Sequence, residues 1–136
     1  MPRLSKRAEA AARAEKREKN KCRLFDLMVA AKKVNNETRF SVSMDLVFDA
    51  EDSWAEKDII GVQFCYEQVM EKEGVFKRGE YTTMIVLPAS DDFHFDQMND
   101  FCALAVRAEA AMKALEAERQ QIVNSLTPRQ RKVLGV

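Results

Sequence analysis

From residue 40 the chain alternates: Phe40, Val42, Met44, Leu46 and Phe48 fall between Ser41, Ser43, Asp45, Val47 and Asp49. Successive side chains of a strand point to opposite faces, so this period of two predicts a half-buried β-strand. A second strand is predicted over residues 81–87, Tyr-Thr-Thr-Met-Ile-Val-Leu, closed by Pro88. Its β-branched and aromatic residues occupy both faces, which predicts the more buried strand of the two.

Residues 58–70 fit two periods. As a strand, Ile60, Val62, Phe64 and Tyr66 alternate with Gly61, Gln63, Cys65 and Glu67. As a helix, Ser53 and Glu56 form a capping box, Gly74 is the stop, and Trp54, Ile59, Val62, Cys65, Tyr66 and Val69 share an arc. The strand is preferred, because the helix strands Ile60 and Phe64 on the wrong face and carries a mid-helix glycine costing about 1 kcal/mol relative to alanine. The preferred order is helix, three-stranded meander, helix; the other is an alternating α-β-α-β-α chain.

Residues 95–126 repeat in heptads. Met98, Ala105, Met112, Arg119 and Leu126 take the a positions, and Phe101, Ala108, Leu115 and Ile122 take d. The seam formed by Met98, Phe101, Ala105, Ala108, Met112, Leu115 and Ile122 is either the core face of a helix or a dimer interface. Arg119 sets a charge where a continuous coiled coil keeps a hydrophobe, so the last heptad is expected to face water. Asp92 or Asp96 is the candidate cap, and Thr127-Pro128 ends the helix.

The N-terminal stretch is different in kind. Residues 5–21 are good helix formers with no large hydrophobe, and an isolated alanine-rich helix of about 15 residues is marginal in water. This arm is therefore either frayed when free or a rigid extension of the helix that follows. From Cys22 to Val34 the residues Leu24, Phe25, Leu27, Met28, Ala31 and Val34 form a stripe that can dock on a core, and Asn35-Asn36 is the expected left-handed stop. The division expected is a basic arm, 1–22, and a single α+β domain, 23–136.

Thr127-Pro-Arg-Gln-Arg-Lys-Val-Leu134 predicts a short basic helix with a threonine cap, proline at the first position and Gly135 as stop. Those eight residues resemble the opening of the helix-turn-helix of sigma factors and quorum-sensing-type regulators. The resemblance includes neither a turn nor a recognition helix.

Charge is segregated along the chain. The 22 basic and 22 acidic side chains cancel, but not locally. Residues 1–39 hold twelve Lys and Arg against five acids, residues 40–106 four against fourteen, and residues 107–136 six against three. Arg3, Lys6, Arg7, Arg13, Lys16, Arg17, Lys19, Lys21 and Arg23 place nine cations within 23 residues, dense enough to neutralise phosphates and release counterions. No aromatic side chain precedes Phe25, so the expected contact is with a nucleic-acid backbone and not with stacked bases, with Arg129, Arg131 and Lys132 expected as helpers. The acidic middle carries the alternative expectation: an adaptor or inhibitor, of the kind viruses and mobile elements encode, that meets a basic protein partner. A third is a structural assembly component. A homo-oligomer is expected, and no membrane, since no apolar run approaches about 18 residues.

Other chemistries find little footing. Four glycines, Gly61, Gly74, Gly79 and Gly135, build neither a P-loop nor a dinucleotide fingerprint. The sole histidine, His94, lies among Asp91, Asp92 and Asp96 without a known metal spacing, and those acids equally suit helix capping. Cys65 or Cys102 with His94 is the one nucleophilic pair that can be drawn. Cys22, Cys65 and Cys102, odd in number and with no Cys-x-x-Cys pair, suggest free thiols in a reducing cytoplasm. The expectation is a non-enzymatic binding protein without cofactor or metal.

Overall fold

The computed structural model describes residues 5–48, 59–88 and 90–136, Ile59 and Ile60 by their backbone. The fold is α+β, with the order α1 (Lys6–Glu37), β1 (Val42–Phe48), β2 (Ile59–Lys72), β3 (Val75–Val86), α2 (Asp92–Ser125) and α3 (Pro128–Leu134). Of residues 58–70, which fitted two periods, 59–70 belong to the central strand of an antiparallel sheet ordered β1-β2-β3, and Asp58 lies outside the described residues. Ser53, Trp54 and Glu56 of the helical alternative lie outside the described residues.

Register explains the core. Val42, Tyr66 and Thr82 stand in one row, Met44, Phe64 and Met84 in the next, and Leu46, Val62 and Val86 in a third. Opposed residues share a face, so the apolar rows meet Leu24, Leu27, Ala31 and Val34 of α1 and Phe95, Met98, Phe101, Cys102, Ala105 and Ala108 of α2 in one buried cluster. The alternate rows, such as Ser43, Cys65 and Thr83, lie on the other face. Gly61 sits where a Cβ would come within 2.7 Å of the Val86 carbonyl oxygen and into the Leu87 side chain, so strand pairing itself requires the mid-strand glycine. Gly74 (φ 79°) and Glu73 (φ 53°) form the tight β2–β3 turn. Gly74 therefore closes a hairpin and not a helix.

Four local expectations are corrected. The 81–87 stretch is the end of a longer strand, at the sheet's edge among the described residues: Ile85 and Tyr81 are 48% and 62% exposed, because there β3 pairs on one side only and carries helices on one face. In β1 the apolar stripe leaves the core after Met44, and Leu46 and Phe48 are exposed beside a register shift at Val47/Phe48. Asn35-Asn36 does not end α1 in left-handed geometry; the helix ends at Glu37 with Thr38 extended, its amide and hydroxyl both donating to the Val34 carbonyl at 3.0 and 2.7 Å. Asn35 instead pairs with β1 as a surrogate strand, its Nδ2 donating to the Val42 carbonyl at 2.6 Å and its Oδ1 accepting from the Val42 amide at 2.7 Å. Finally, α2 begins at Asp92 with Asp91 as the cap residue, whose side chain makes no capping bond.

Two ion-pair sites set the direction of the long helices. Arg23 meets Asp92 at the start of α2 at 2.7 Å, and Arg39, just past α1, meets Glu109 and Glu116 midway along α2, each at 2.7 Å. The helices therefore lie side by side and run the same way. Each outruns the core at one end. Every residue of α1 from 6 to 19 is exposed, a projection of about 20 Å past the start of α2. At the far end α2 continues for about 20 Å beyond half-buried Met112 with only Val123 partly covered.

Candidate nucleic-acid interface

The projecting half of α1 is helical for local reasons. The Ser5 hydroxyl accepts from the Ala8 amide at 3.2 Å, Glu9 stands in the first turn at the positive end of the dipole, and alanine and long straight side chains fill the rest. The helix is continuous through residue 22, where the arm was expected to end. Its first buried residue is Asn20, whose Nδ2 donates to the Pro88 carbonyl at 2.7 Å.

Helical spacing orders the cations. Lys6, Arg13, Arg17 and Lys21 fall within about 80° of one another, with Ala10 and Ala14 between them, while Glu15 points away. The small alanines leave a shallow open hollow along the stripe, which Glu18 also lines. This stripe continues the line of Leu24, Leu27 and Ala31: where α1 has no domain to rest on, arginine and lysine replace the buried hydrophobes. Lys16 and Lys19 flank one side and Arg7 the other; Lys21 also meets Glu18 at 3.0 Å, an exposed pair of small energetic weight.

Other expected cations stand elsewhere. Arg3 lies outside the described residues. Arg23 is half-buried, with its guanidinium 4.2 Å over the Phe95 ring, bonded to Asp92 and donating to Asn20 Oδ1 at 3.3 Å. It anchors the arm's root; the Arg23 hydrogen bond first, and its charge with those of Lys16 and Lys19, hold the Asp92 carboxyl below its usual range. Arg129 and Lys132 of α3 are exposed but sit at the opposite end of α2, about 50 Å away along the axis. Arg131 is engaged with the Val123 and Asn124 carbonyls at 3.1 and 3.2 Å, completing the end of α2. The arm and the C-terminal cations do not form one patch.

The seam residues divide along α2. Met98, Phe101, Ala105 and Ala108 are core, Met112 is half-buried, and Leu115 and Ile122 are each 57% exposed. Asp49, Glu51, Asp52, Glu56 and Asp58 of the acidic middle lie outside the described residues. The acids that are described are spread over all three strands, the β2–β3 turn and the first turns of α2.

Among groups suited to catalysis, Cys102 is a buried thiol pushed up to about 11 by desolvation, hence protonated and unreactive at neutral pH. His94 lies two turns before it on the same helix, about 12 Å along the axis. Among the described residues no three His, Cys, Asp or Glu side chains are grouped to hold a metal ion. Sequence reasoning missed Glu67, a buried carboxylate held to about pKa 2, first by the Arg78 hydrogen bonds and further by those from Tyr81 and Ser41. Its partners are distant in sequence, so no local signal marks it. No helix among the described residues is long and apolar enough to cross a membrane. No protein family matches the chain, and no curated protein and no solved structure matches it.

Proposed function

We propose that this protein is a non-enzymatic binding protein that grips the phosphate backbone of a nucleic acid along the projecting half of α1. The observation that carries the reading is the stripe of Lys6, Arg13, Arg17 and Lys21 on a helix exposed on every side from residue 6 to 19. A preformed helix brings its cations to the polyanion already spaced, so little ordering entropy opposes binding, and released counterions supply the driving force. The contact is sequence-indifferent, since cations without interleaved aromatics reach phosphates and not base faces. The saturated Glu67 and the protonated, buried Cys102 support binding over catalysis, and three free cysteines suit a reducing cytoplasm.

Fluorescence anisotropy with labelled DNA and RNA, single- and double-stranded, at two salt concentrations tests this. Exchanging Arg13, Arg17 and Lys21 for Gln is expected to weaken binding and to flatten the log-log salt slope by about 2 to 3 on duplex DNA, at about 0.9 per lost phosphate contact. Exchanging Lys32, Lys33 and Lys77 removes the same charge away from the arm and is expected to change far less. Absence of binding at low salt overturns the proposal and moves attention to a protein partner for the acidic residues.

A further inference from the structure

The C-terminal half of α2 is a second exposed helix with a different surface. Beyond Met112 it shows Leu115 and Ile122 in line with the buried seam, and it ends in α3, whose Val133 and Leu134 are 77% and 64% exposed. The turn of the β2–β3 hairpin stands beside the root of this helix, with Val75 and Met70 exposed, and a shallow hollow runs between the hairpin and Met112 and Leu115.

We infer that this face is covered by a second copy of the chain, with the two α2 tails antiparallel about a two-fold axis near Ala117. Charge selects both the occupant and its direction. In a parallel pair the two Arg119 side chains would meet at one level of the seam, like charges at the centre of an apolar contact. In the antiparallel pair Met112 faces Ile122, Leu115 packs on the aliphatic stem of Arg119, and the guanidinium comes beside Glu116 of the other copy. Glu116 then lies between two arginines, its own Arg39 at 2.7 Å and the neighbour's Arg119. The same operation carries each α3 to the other copy's β2–β3 turn, where Val133 or Leu134 covers Val75 and Met70. Such an interface is isologous and closes at two copies.

The inference goes beyond the nucleic-acid reading and needs no ligand. Sedimentation of the full-length protein at micromolar concentrations is expected to give a dimer, weakened at least tenfold by Arg119→Glu and abolished by Ile122→Glu, with helical content unchanged because both sites are exposed. The Arg13, Arg17 and Lys21 variant is expected to remain dimeric, so failure of either proposal is read separately. Direction is read by electron-spin distance measurement with a nitroxide on Ala103→Cys, Cys22 and Cys65 being exchanged for Ser and buried Cys102 left in place. Antiparallel tails separate the two labels by about 40 Å along the axis alone, and parallel tails, with both labels at one level on the outer faces, by no more than about 30 Å. A monomer at tens of micromolar, or the short distance, overturns the inference.

Discussion

Glu67 is 3% exposed on a small sheet, a placement that costs free energy unless every lone pair is met. Arg78 donates to both its oxygens at 2.7 and 2.8 Å, Tyr81 at 2.8 Å and Ser41 at 2.9 Å, so one carboxylate ties β3 to the entry of β1 beside the irregularity at Glu67/Val69. Because its folded pKa, about 2, lies below the ordinary 4.5, its contribution is fully present above about pH 4.5 and is lost as the pH falls toward 2. Glu67→Gln is therefore expected to destabilise the protein at neutral pH by about 1 to 3 kcal/mol and to flatten the acid limb of stability between pH 4.5 and 2, read by urea unfolding across that range. An acid limb as steep as that of the parent would rule out this role. Arg23 and Arg131 teach the converse lesson. Composition counts them with the free cations, yet one is laid over Phe95 and the other completes a helix end.

At the scale of elements, α1 is half scaffold and half probe. Asn20, Leu24, Leu27, Ala31 and Val34 bury the second half, while the first is held by propagation from it and by its own helix formers. Ala11→Gly with Ala12→Gly is expected to cost about 1 kcal/mol of local helix stability each, lowering far-UV helicity while leaving the thermal midpoint of the domain in place. A drop in the midpoint would mean that the arm is part of the cooperative core. The sheet was only partly legible. Alternation identified β1, and the preference for a strand over residues 58–70 follows the pattern Val62, Phe64, Tyr66, all three buried. Which strand would be central was not legible: Tyr81 to Leu87 has the composition of an interior strand but pairs on one edge, because strand order depends on neighbours far along the chain.

For the whole molecule, the parallel side-by-side packing of α1 and α2 matters most. Two long helices that overlap over only about 20 residues must each project, and they project at opposite ends. Small-angle scattering on the Ile122→Glu variant is expected to give a radius of gyration clearly above the approximately 14 Å of a compact 136-residue domain. A value near 14 Å would show that the projecting halves fold back. Projection also separates two surfaces of different chemistry: a cationic stripe past the start of α2, and the apolar line of Leu115 and Ile122 past its middle. In the antiparallel dimer the two arms would root about 75 Å apart and point outward, so two stripes would engage separated segments of one polyanion or two polyanions, with a gain set by effective concentration.

Local composition and spacing specify what each stretch tends to become. Alanine and lysine make the arm a helix without a core, period two makes β1, heptads make α2, and Thr127, Pro128 and Gly135 bound α3 through a capping box and a left-handed stop. These are local rules, written in residues a turn or two apart. Long-range packing set the order of the strands, the purpose of Gly61, the saturation of Glu67, and which arginines remain free. Those outcomes rest on pairs such as Arg23 with Asp92 and Arg39 with Glu109, about seventy residues apart in the chain and 2.7 Å apart in space. Hydrophobic burial brings such pairs together without regard to their separation in sequence, so a local pattern carries no trace of them.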